Sequence, residues 1–290
     1  MKIVLSRKGF DSSFGGVASP ILPDERLVSL PIPYQHSPVT YNDIRLGNTH
    51  LGDLVEQLTR GQMVGSRWAH LDPDLRFDAL ERAPGWRPVF GQTDAAQSHL
   101  ARHQVGVGDL FLFYGWFRRT EVKDGRLRYV RTAPDLHVLF GWLQVGEVIS
   151  LGRGEQHVPD WARMHPHLHG DFGPNNTLYI SRATLDLGAG SSRVPGGGIW
   201  GTLCDDLVLT ASGENRTIWQ LPRWFMPLEG RAPLSYHESQ SRWHQNEASC
   251  ILRSAARGQE FVLDTVAYPE AVGWAQQITT QVSSQGYGSI

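Results

Sequence analysis

The stretch that decides the fold is Asp109-Leu110-Phe111-Leu112-Phe113-Tyr114-Gly115-Trp116-Phe117. It is too apolar and aromatic for anything but a β-strand covered on at least one face. A second run of the same character, Leu136 to Ile149, predicts another strand, bent or bulged at Gly141 or Gly146. Between them Lys123-Asp124-Gly125-Arg126 has turn chemistry, so the two runs are expected to pair antiparallel across an extended excursion.

Working outward, residues 2–6 read as a buried strand, with further strands near Leu27–Ile32, Thr177–Ser181, Leu207–Thr210 and Phe261–Leu263. Apolar positions 51, 54, 55 and 58 predict a short amphipathic helix. A second helix is expected over Asp94–His103, stopped by Gly106 and Gly108, and two more over Trp243–Arg257 and Pro269–Gln281. Gly188 to Gly201 reads as a mobile loop. The expectation is an α+β fold, a single domain over residues 1–290, with a central, mostly antiparallel sheet and flanking helices.

The chain has 290 residues, 40% of them hydrophobic and 19% charged, so it can bury a full core. A formal charge of -2 gives no global attraction for polyanions, and nucleic-acid binding would need a local basic patch. Cys204 and Cys250 form no disulfide framework and no zinc-type cluster. With no signal-peptide core and no membrane-length apolar run, a cytoplasmic location is expected.

Four segments carry potential chemistry. In Ser6-Arg7-Lys8-Gly9-Phe10-Asp11-Ser12-Ser13-Phe14-Gly15-Gly16, backbone N–H groups, hydroxyls, a carboxylate and two cations follow a strand, an arrangement suited to an anion, although an ordinary turn accounts for the same residues. In His70-Leu71-Asp72 alternate residues of an extended chain share a side, as metal ligands do; a capped Asp-Pro turn is the alternative. His165-Pro166-His167-Leu168-His169 suits a metal or a phosphodiester if its histidines line one face, and a solvated loop otherwise. Ser235-Tyr236-His237 offers acid–base groups, whereas Arg257-Gly258-Gln259-Glu260 reads as a structural ion pair. Of Trp116, Trp142, Trp161, Trp200, Trp219, Trp224 and Trp243, some could stack on bases, but most belong in a core.

The opening segment, with Ser19-Pro20-Ile21 and Ser29-Leu30-Pro31-Ile32-Pro33, resembles the nucleotide modification associated domain 3 family. The likeness continues through His70-Leu71-Asp72-Pro73-Asp74, Gly91-Gln92 with Gln97-Ser98-His99-Leu100, Gly108-Asp109, Phe140-Gly141-Trp142, His165-Pro166-His167 and Trp219-Gln220-Leu221-Pro222 to Ser235-Tyr236-His237 and Gln259-Glu260-Phe261. That resemblance implies association with DNA or nucleotide modification and adds weight to Asp11, His70, Asp72, His99, His167 and His237. The pattern around Gly108-Asp109 and residues 138–148 is also similar to PUA-like and EVE-like barrels, which hold modified bases or RNA.

The leading expectation is an enzyme of nucleotide or nucleic-acid base modification using one divalent metal, iron before manganese or zinc. His70 and Asp72 would hold it with one or two of His99, His167 and His237, His99 and His167 foremost. Arg7, Lys8, Ser12 and Ser13 would bind substrate, and Asp11, Tyr236 and His237 would do acid–base work. The alternatives are a module binding a modified base in a PUA-like pocket, and a metal-free transferase or hydrolase using Tyr236, His237 and Asp11.

Overall fold

The computed structural model describes residues 1–152, 157–188, 193–229, 231–255 and 258–280. Its strands are β1 (Lys2–Arg7), β2 (Ser19–Ile21), β3 (Arg45–Leu46), β4 (Thr49–His50), β5 (Val89–Gln92), β6 (Leu110–Lys123), β7 (Arg126–Tyr129), β8 (Leu136–Ser150), β9 (Thr177–Ser181), β10 (Gly197–Ile199), β11 (Ile218–Pro222), β12 (Trp243–Gln245), β13 (Ser249–Arg253) and β14 (Glu260–Asp264). The helices are α1 (Leu51–Leu58), α2 (Asp94–Arg102) and α3 (Glu270–Thr280).

Nine strands among the described residues form one sheet in the order β14-β1-β6-β8-β9-β5, with β2 and β7 on β6 and β10 on β8. The architecture is a single α+β unit. The sheet is mixed: β1 and β2 run parallel to β6, while β14, β8, β9 and β5 pair antiparallel. It remains open, with β14 and β5 as edges, so the barrel suggested by the PUA-like pattern does not form.

The opening stretch becomes the centre. Leu110, Phe111, Leu112 and Phe113 are fully buried because β6 is flanked by β1 and β8 and covered on both faces. The register breaks between Phe113 and Tyr114, opposite the Phe140–Gly141 step, and again at Gly146. These irregularities bend β8 so that its far half pairs with β9. At the β6–β7 turn Asp124 and Gly125 both have positive φ (55° and 70°), which matches the twist of a tight hairpin.

Three expectations change. Within the expected 243–257 helix, residues 243–253 form a hairpin of β12 and β13 instead, because the Asn246 side chain accepts from the N–H groups of Ala248 and Ser249 and closes a turn. Leu27–Ile32 forms no ladder: Pro31 lacks a donor, and the Leu30 N–H goes to Ser19 Oγ. Leu207–Thr210 is a short 3-10 turn followed by single bridges. The glycine-rich 188–201 segment, expected to be a mobile loop, contains β10 at Gly197–Ile199, and its residues 189–192 lie outside the described residues, as does Arg257.

Candidate metal centre

His70 and Asp72 arrive on an extended segment wedged between two neighbours. The Tyr34 N–H donates to Trp68 O, the His70 N–H to Ile32 O and the Ala69 N–H to Val39 O. Alternation puts both side chains on one side, as the His-x-Asp spacing predicts. Immediately downstream Asp74 bridges to Val89 and is clamped by Arg82 in a bidentate pair (2.6 and 2.7 Å). The clamp brings β5 alongside, and the Gly91 N–H donates to Asp72 Oδ1 at 2.7 Å. A Cβ at Gly91 would lie 2.3 Å from the His167 ring, so only glycine fits there.

The other half comes from the loop before β9. Pro166 starts a 3-10 turn, Pro166–Leu168, that turns His165 and His167 toward Asp72. His169 instead meets Arg163 O at 2.7 Å, so the three histidines do not share a face. Asn176, on the threshold of β9, donates to His167 O, which leaves its Oδ1 to accept from His167 Nδ1 at 2.7 Å. With Nδ1 carrying the proton, His167 Nε2 presents a lone pair. His165 Nδ1 accepts from the His167 N–H, so its Nε2–H donates to Asp72 Oδ1 at 3.2 Å.

Asp72 is therefore divided in use. Oδ1 accepts from Gly91 and His165, while Oδ2 receives no hydrogen bond among the described residues and lies 3.9 Å from His70 Nε2 and 3.8 Å from His167 Nε2. Three donor atoms, one each from His70, Asp72 and His167, lie within 4.8 Å of one another. Ligands sharing one ion at bonds of about 2.1 Å stand about 3.0–3.4 Å apart, so small side-chain rotations close the set. His70 Nδ1 is buried without a partner, and the ring is held by the edge of Tyr34 (5.0 Å, 85°) and by His167 (5.2 Å). Phe172 stacks on His167 at 4.5 Å.

Burial pushes His70 down to about 3 and His167 down to about 4; Asp72 opposes this, whereas the neighbouring imidazoles and Lys8 add to it. Burial would raise the Asp72 carboxyl, but the His165 hydrogen bond and the surrounding imidazoles hold it below the usual carboxylate range. At neutral pH the pocket holds two neutral imidazoles and one carboxylate, the protonation state a metal requires. Lys8 does not neutralise Asp72, since its Nζ pairs with buried Glu260 at 3.0 Å over the Phe90 ring. The side chains of Asp72, His165 and His167 are at most 4% exposed and that of His70 is 12%, so the site opens over His70.

The remaining candidates lie elsewhere. Asp11 accepts from the N–H groups of Ser13 and Phe14, both at 2.7 Å, closing its own turn; Ser12 and Ser13 are exposed. Arg7 ends β1, and Lys8 is the member of that loop whose charge reaches His70 and His167. His99, on α2, meets Ser235 Oγ at 2.9 Å and stacks on Tyr236 at 4.3 Å, outside the three-donor group. His237 is wholly buried: Nδ1–H donates to Ser235 O, and Nε2 accepts from the Ala255 N–H.

Sequence reasoning placed Gly91 in a segment of the family resemblance without giving it a role, and did not single out Asn176, Tyr34 or Phe172. The available signals were Gly91 inside an apolar strand and an asparagine pair opening one.

Among the described residues no helix is long and apolar enough to cross a membrane. No curated protein and no solved structure matches the chain. The profile of nucleotide modification associated domain 3 matches residues 2–264, nearly the whole sequence and both halves of the histidine–aspartate cluster, and the chain belongs to that family.

Proposed function

We propose that this chain is an enzyme of nucleotide or nucleic-acid base modification that works with one divalent metal held by His70, Asp72 and His167. The supporting observation is the divided carboxylate: Oδ1 is fixed by two donors, while Oδ2 is left bare between two imidazole nitrogens. A buried carboxylate without a counter-charge is costly, and a cation between these donors removes that cost. The fit is supported further by the tautomer that Asn176 imposes on His167.

Two imidazoles and one carboxylate suit iron(II) first and manganese or zinc next, and such an ion activates dioxygen or water beside a bound substrate. The protein's own groups do the rest. His165 and Gly91 hold the carboxylate in one orientation, and Lys8 disfavours protonation of the ligands. Tyr34, packed on His70 and donating its O–H to His169 O at 3.0 Å, forms the wall between the site and an outer groove of about 780 Å³.

The test is elemental analysis of protein purified without chelator, expected to give one equivalent of metal. His70→Ala and Asp72→Ala should each abolish it while thermal unfolding stays cooperative, since the core is untouched. A metal-free parent, or full occupancy in both variants, would end the assignment.

A further inference from the structure

Two grooves flank one loop. The first is the groove beside Tyr34, whose wall also includes His36, Arg67 and Trp68. Trp68 is 50% exposed, whereas Trp142, Trp200, Trp219 and Trp243 are all buried. The second groove, about 770 Å³, lies between the end of α1 and β7 and is lined by Arg60, Arg126, Arg128, Leu127 and Tyr129. The chain from Arg60 to Trp68 runs from one groove into the other, so the two are adjacent along a single loop.

The second groove is where positive charge gathers. Residues 118–131 carry Arg118, Arg119, Lys123, Arg126, Arg128 and Arg131 against Glu121 and Asp124, in a chain whose formal charge is -2. Arg118 and Arg119 are committed: Arg118 bonds the carbonyls of Val130 and Arg131, and Arg119 pairs with Glu25. The guanidinium groups of Arg60 and Arg126 have no partner among the described residues, and that of Arg128 has only the exposed Asp124 at 3.8 Å. The acid nearest the groove, Glu56, is engaged with the Gly65 N–H at 2.7 Å.

The backbone fixes where these cations emerge. Arg126 and Arg128 are exposed on one face of β7, while Leu127 and Tyr129 pack inward, and the tight Asp124-Gly125 turn sets their position. Arg60 has φ 55°, a left-handed conformation that favours glycine, yet the position carries a guanidinium over the groove. Unpaired cations along a groove, followed by an exposed aromatic face, are what a flexible polyanion with stacking bases requires.

We propose that these two grooves form a track for single-stranded nucleic acid, with phosphates over Arg60, Arg126 and Arg128 and a base stacked on Trp68 beside Tyr34. The substrate of the proposed metal site is then a polymer rather than a free nucleotide. Only that last step rests on the metal reading; the track itself does not.

The experiment is fluorescence anisotropy with a labelled oligo(dT) of about 20 nucleotides across a salt series, long enough to cover more than one groove. The parent should bind with a salt-dependent constant. The triple variant Arg60→Gly, Arg126→Ala, Arg128→Ala should bind at least tenfold more weakly, with a log–log salt slope smaller by about 2. Trp68→Ala should weaken binding roughly tenfold with the slope unchanged, because stacking releases no counterions.

Parental affinity and slope in the triple variant, or tighter binding of the matching duplex, would overturn the track. Metal content is measured on the same samples and should not change. A metal-free parent that still follows the binding pattern would remove the metal reading alone, and a metal-loaded parent indifferent to the triple substitution would remove the track alone.

Discussion

Two clusters in this molecule gather buried histidines around one shared polar residue, Asp72 in one and Ser235 in the other, and end in different states. Around Asp72, the hydrogen bonds made by His165 and His167 leave one imidazole lone pair and one carboxylate oxygen uncommitted and facing each other. Around Ser235, the protein uses the groups up: His237 spends both ring nitrogens on backbone, and Ser235 Oγ, which meets His99, also accepts from the Val262 N–H. The difference lies in what the second nitrogen does. A histidine whose two nitrogens are both satisfied by the backbone is a structural brace, while one held at Nδ1 alone still has a ligand atom to offer.

Acid is expected to have the largest effect, and it should strike both clusters alike because it depends on burial. Burial pushes His70 down to about 3 in the folded chain and His167, His99 and His237 down to about 4. In the unfolded chain these groups take up protons near 6.5. Between those values the unfolded state binds more protons, so stability falls as pH drops from about 6.5 toward 4. Thermal melts of metal-free protein should lose more than about 10 °C over that window, given four such groups. A flat profile would mean that neither cluster is as desolvated as the packing implies.

Substitution then separates the two regions. His237→Leu orphans the Ala255 N–H and Ser235 O, at a cost of about 3 kcal/mol or more in denaturant unfolding, with metal content unchanged. Metal loss in that variant would erase the distinction drawn here. Asn176→Ala should act the other way, weakening metal binding ten- to hundredfold in a chelator competition by releasing the His167 tautomer. Unaltered affinity would show that the Asn176 contact is a brace as well.

Much of this was legible in the chain. The apolar content of residues 109–117 and 136–149 demanded paired central strands, and the glycines at 141 and 146 marked where β8 breaks register, since backbone burial leaves few other places for such residues. The alternation of His70 and Asp72 was equally readable, because side-chain direction in an extended segment follows from local geometry. The hairpin at 243–253 was not, because its composition suits a helix and only the tertiary fold supplies the partner β11.

What the sequence determined by itself was therefore local: the two core strands, the bounds of α1 and the shared side of His70 and Asp72. The choice among His99, His167 and His237 as a third donor belonged to the tertiary structure. All three are short-range equivalents, and only long-range closure of β5 against β9 brings His167 to Asp72 while leaving His99 and His237 with other partners. The open sheet was decided the same way, since whether β14 and β5 meet depends on accumulated twist across all the strands between them, a quantity no single stretch of residues encodes.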